Sequence, residues 1–161
     1  MAKTEHRQRS LALYETILKL KDLDECCKFF DDLCTPTELR SMEQRFDVAV
    51  YLQQGLVYLK FLDKPASDTL YRAIVLLQTE EECRNFLQDL CTVSELKAME
   101  QRMEVAMLLD DGLIYSDILE RTGASSATIS RVRRSMLDNG AGGVMETVIR
   151  REGLGQKKES T

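Results

Sequence analysis

Ser126, Ala127, Thr128 and Ser130, followed at once by Arg131, Arg133 and Arg134, are the residues of this 161-residue sequence whose types and spacing suit a definite chemistry. Small side chains at the start of a helix let its end enter the major groove of DNA, donate hydrogen bonds to base edges or meet a thymine methyl. Arginines one turn further on can then reach phosphates or base edges. Ser125, just ahead, is suited to cap the helix by accepting a hydrogen bond from a free backbone N–H. The plainer readings are that Gly-Ala-Ser-Ser is only a well-capped turn and that arginines near a helix C-terminus favour the helix dipole by ~0.3–1 kcal/mol each. Slim start and arginines together favour DNA.

Other constellations carry less. Cys26 and Cys34, recurring as Cys83 and Cys91, stand eight residues apart without partner histidines, which suits buried apolar thiols better than a metal site. His6 is the one histidine and lies near the N-terminus, so histidine-based catalysis has little support. Met99, Met103 and Met107 have helical spacing and read as core. No nucleophile with a base, metal set or cofactor motif can be named, and we expect no enzymatic step and no cofactor.

Composition bounds the rest. With 43% hydrophobic and 30% charged residues, two prolines and no tryptophan, the chain is expected to be mostly helical. It has no apolar run of the ~20 residues a membrane span requires, and MAKTEHRQRS lacks the apolar centre of a signal peptide, so the expectation is a cytoplasmic protein that does not enter membranes. The net charge of -5 divides unevenly: residues 1–111 hold 14 basic and 21 acidic side chains, residues 112–161 hold 8 and 6. The positive excess sits with the serine and arginine cluster, a weak electrostatic footprint.

The elements that must position the cluster come from a repeat. LCTPTELRSMEQRFDVAVYLQQGLVY, Leu33 to Tyr58, returns as LCTVSELKAMEQRMEVAMLLDDGLIY, Leu90 to Tyr115, 57 residues later and with about half of the paired positions identical. Each unit reads as three helices. Thr35 with Glu38, and Thr92 with Glu95, have the spacing of a capping box; Pro36 suits a first helical position, and Gly55 and Gly112 suit helix ends. Leu96, Met99, Met103 and Ala106, with Leu109 or Leu113, form an apolar stripe, charges being expected elsewhere. Only the second unit continues into a helix-turn-helix: a short helix Tyr115–Arg121, a turn Thr122–Ala124 and a second helix from Ser126 to about Met136, with Ile118, Ala124, Ile129 and Val132 holding the two across one another. The expected organisation is a flexible 1–10, a first repeat 11–58 lacking the reader, a linker 59–68, a second repeat 69–111, the helix-turn-helix 112–137, a linker and final helix 138–152, and a flexible tail 153–161.

FLQDLCTVSEL, the QR of the third helix and TGASSATISRV resemble the Trp repressor superfamily, most closely its YerC/YecD-like branch, over Thr69 to about Arg151; residues 11–58 resemble the same family's N-terminal helices. The resemblance implies an all-α fold, a Trp-repressor-like helical core with a helix-turn-helix, in which two sets of N-terminal helices interlock and VMETVIRRE returns as a final helix. It also implies an effector site built on Arg102 and Arg131, with Thr92 and Ser135 beside them. Val132 stands where the family has a glycine that leaves room for tryptophan, so tryptophan is not expected to bind, and the two arginines are expected either to hold another anion or to pair structurally with a carboxylate. The expected function is a sequence-specific DNA-binding regulator acting as a repressor, with double-stranded DNA as partner. The rival is a helical module that regulates through a protein partner. Carrying both helix sets in one chain, the protein is expected to close as an intramolecular pseudo-dimer; the competing form is a helix-swapped homodimer.

Overall fold

The computed structural model describes residues 11–55, 69–137 and 148–149. Expectations for the N-terminal ten residues, the linker 59–68 and the tail lie outside them, as does all of the final helix except Val148 and Ile149, which are helical and fully buried.

Among the described residues the chain is helical and without strands. The first repeat holds α1 (11–18), α2 (Leu23–Leu33) and α3 (Pro36–Gln53); the second holds α4 (Thr69–Val75), α5 (Glu80–Leu90) and α6 (Val93–Asp110), followed by α7 (Tyr115–Thr122) and α8 (Ser126–Leu137). Local chemistry sets the starts. Thr35 and Thr92 each form the full capping box, with Pro36 in the first turn of α3. A third box at Thr79 and Glu82 opens α5, and Asp22 caps α2; both escaped the sequence reading. The long helices α3 and α6 stop where Gly55 and Gly112 take φ of +68° and +78°, a conformation that costs a Cβ-bearing residue dearly.

The two repeats exchange their first helices across one core. Tyr71 of α4 packs on Phe30 of α2, with ring centroids 6.2 Å apart, and donates its hydroxyl to Glu43 of α3 at 3.0 Å. From the other side, Tyr14 of α1 lies beneath the Arg84 guanidinium of α5, 5.6 Å from ring centroid to Cζ. Two ion pairs repeat this reciprocity. Arg45 of α3 donates from both terminal nitrogens to Glu95 of α6, each at 3.0 Å, and Arg102 of α6 donates to Glu38 of α3 at 2.9 and 3.1 Å. Glu38 and Glu95, like Arg45 and Arg102, are 57 residues apart, so the pairs are related as in an isologous contact between like surfaces.

One expectation is corrected. The charges on α6 do not all lie off its apolar stripe: Glu100 and Arg102 are buried with Leu96, Met99, Met103, Val105 and Ala106. The helix is enclosed on several sides by α2, α5, α7 and α8, a situation that the periodicity of one helix does not reveal. Its counterpart α3 buries only Leu39 and Met42. Arg45, Phe46 and Val48 are half-buried and Ala49 is exposed, although Arg102, Met103, Val105 and Ala106 at the matching positions are all buried. The difference marks where the first repeat has no α7 and α8 over it.

Candidate nucleic-acid interface

The attitude of α8 is fixed by its turn and its buried ridge. Thr122 ends α7, Gly123 follows at φ +67°, and the Gly123 N–H donates to the Leu119 carbonyl at 2.9 Å. The buried Thr122 hydroxyl donates to the Ile118 carbonyl at 2.7 Å and accepts from the Ala124 N–H at 3.1 Å, tying the turn from inside. Gln101 of α6 donates its side-chain amide to the Thr122 carbonyl at 3.0 Å and anchors the turn to the core. Ile118, Ala124, Ile129 and Val132 are each at most 1% exposed, as expected for the contacts that cross the two helices.

Around α8, at ~100° per residue, Ala127, Ser130, Arg131 and Arg134 lie on the arc opposite the buried Ile129, Val132 and Met136. Ala127, Ser130 and Arg134 are exposed, and Arg131 is half-buried. Ser126 and Arg133 are exposed on one flank, and the Arg133 guanidinium stacks 5.7 Å from the Tyr115 ring centroid. Thr128 and Ser135 are half-buried on the other flank. Ser125 is the cap: its Oγ accepts the Thr128 N–H at 3.1 Å, and the two hydroxyls share a hydrogen bond of 2.9 Å. Ser125 and the Thr128 hydroxyl are therefore occupied in starting the helix.

Of the residues implied as an effector site, Arg102 is engaged by Glu38 as described, and its Nε–H meets no acceptor. Thr92 belongs to the capping box of α6, donating its hydroxyl to Glu95 at 2.9 Å. Burial pushes the Cys34 thiol up to about 12 against the opposing charges of Arg102 and Arg131. Burial likewise raises Cys26, Cys83 and Cys91 to about 12. All four thiols are free and buried, poor nucleophiles in that state. Among the described residues no group of His, Cys, Asp and Glu could hold a metal ion, and no helix is long and apolar enough to cross a membrane.

A helical core of two repeats joined across one interior, with a helix-turn-helix packed on α6, defines a class, and the family model described as Trp repressor protein matches residues 8–64 and 66–152. The chain belongs to the Trp repressor family. It is 48% identical over 69 residues to the uncharacterized protein YerC of Bacillus subtilis (strain 168), an alignment that covers 43% of this chain and 66% of that protein. The chain thus spans slightly less than two thirds of that relative's length. No solved structure matches.

Proposed function

We propose that this chain is a sequence-specific DNA-binding transcriptional regulator that represses by occupying its operator, without an enzymatic step. The observation that carries the reading is the outer face of α8, where Ala127, Ser130 and Arg134 are exposed on a helix whose other side is locked by Ile129 and Val132. Ala127, Ser130, Arg131 and Arg134 read base edges, while Ser126 and Arg133 at the flank meet phosphates. Ser125 and Thr128 hold the helix start in place. Family membership supports the same reading, as does the positive balance of residues 112–161.

Tryptophan is not the effector in this reading. Arg102 is committed to Glu38, and the branched side chain of Val132 is buried at 1% exposure. Calorimetric titration should give no tryptophan binding; micromolar binding would contradict this part of the proposal.

The two repeats act as the two halves of a dimeric core held in one chain, a pseudo-dimer with one reader. Linking the halves replaces a bimolecular association by an intramolecular one. One chain then touches one half-site, and a palindromic operator takes two chains.

The test is selection of genomic fragments by the purified chain. Enrichment of a short shared sequence supports the reading. The second reading, a module that regulates through a protein partner, draws on the uncovered side of α3, where Leu52 is 70% exposed beside Ala49. No enriched DNA together with capture of a defined protein partner would favour it.

A further inference from the structure

We propose that Tyr115 is a positioning residue for DNA binding: its ring holds the Arg133 guanidinium at the flank of α8, aimed at a backbone phosphate. The proposal rests on the DNA-reading role of α8. Arg133 Cζ lies 5.7 Å from the ring centroid, inside the ~6 Å range over which a ring quadrupole attracts a cation. The ring does not stand alone in solvent. It is half-buried and packed against the hydrophobic core, and with Arg133 it lines a cleft of about 450 Å³ whose walls include Leu109, Leu113 and Met136.

Seating an arginine on a ring differs from pairing it with a carboxylate. The π face uses none of the guanidinium's N–H donors, so all five stay available to phosphate oxygens. A side chain already confined to one surface also loses less rotamer freedom when DNA arrives. The placement of Tyr115 matters too, because it is the first residue of α7. The stack therefore joins the start of one reader helix to the far part of the other, and the phosphate contact is referenced to both.

The test is a double-mutant cycle, read by fluorescence anisotropy on an enriched duplex, with Tyr115→Leu, Tyr115→Phe, Arg133→Ala and the double variant Tyr115→Leu/Arg133→Ala. Leucine keeps apolar bulk in the cleft and removes the π face, whereas phenylalanine keeps both. Tyr115→Leu should weaken binding about two- to fivefold, and Tyr115→Phe should match the wild type. Arg133→Ala should lower the steepness of the log-log salt dependence by about 0.9. In its background Tyr115→Leu should change nothing further. An equal loss from Tyr115→Leu with and without Arg133 would make the ring a support of the fold and overturn the proposal. Unchanged affinity of Tyr115→Leu would overturn it as well. Failure of the DNA-reading role looks different: the wild type then binds no duplex, every variant is equally inactive, and the proposal falls with it.

Discussion

Glu38 closes the capping box of α3 and, with the same carboxylate, accepts both terminal nitrogens of Arg102. Burial would push this carboxyl up, but the hydrogen bonds from Arg102 and Thr35 outweigh burial and hold it below its ordinary range; Glu95, facing Arg45 and Thr92, is lowered in the same way. A carboxyl depressed in the folded state contributes stability that is present above its unfolded pKa and is lost as pH falls through the folded one. Thermal melts should therefore weaken as pH drops below about 4.5, and less so in the double variant Glu38→Gln/Glu95→Gln. Glutamine also serves in a capping box, so these substitutions chiefly remove the ion pairs. The two will not cost the same. The Arg102 side chain is 7% exposed and that of Arg45 36%. Glu38→Gln strands a buried charge and should cost about 3 kcal/mol in urea denaturation, whereas Glu95→Gln should cost about 1 kcal/mol or less. Equal costs would mean that the two pairs are not differently desolvated.

At the scale of elements, the turn between α7 and α8 decides how the reader projects. A Cβ on Gly123 would meet nothing within 4 Å, so the demand for glycine is one of backbone conformation alone. Gly123→Ala should cost about 1–2 kcal/mol and weaken DNA binding, while Gly123→Asn should cost less; a neutral alanine in denaturation would show that the turn relaxes out of φ +67°. This turn was legible in the sequence, as were the two capping boxes with Pro36 and the buried set Ile118, Ala124, Ile129 and Val132, because each is written in adjacent residues or in helical spacing. The burial of Arg102 was not legible from periodicity, since the cover over α6 comes from other helices and its ion partner lies 64 residues away. A signal was nonetheless available. Glu38 and Arg45 recur as Glu95 and Arg102, and any two-fold relation between the repeats would cross-pair them. In the candidate interface, the outward arc of α8 followed from the helical period. The capping by Ser125 was legible as well, whereas the hydrogen bond that ties up the Thr128 hydroxyl and the stacking of Arg133 on Tyr115 depended on side-chain directions that spacing leaves open.

On the scale of the whole molecule, the reciprocal ion pairs and exchanged first helices join the two repeats in one core, the arrangement that the proposed pseudo-dimer requires. The pseudo-dimer reading predicts a folded particle near 18.4 kDa in light scattering across a dilution series. A dimer that separates only on unfolding would instead indicate helices swapped between chains. The central claim is that one α8 per chain reads DNA, and it is met most directly by titrating an enriched half-site duplex with the chain at several salt concentrations, for the wild type and Arg134→Ala. The account predicts one chain per half-site, affinity that falls steeply with salt, and a loss of about 1–3 kcal/mol of binding once Arg134 is removed. Binding that is indifferent to salt and to Arg134, or two chains held on one half-site, would contradict it.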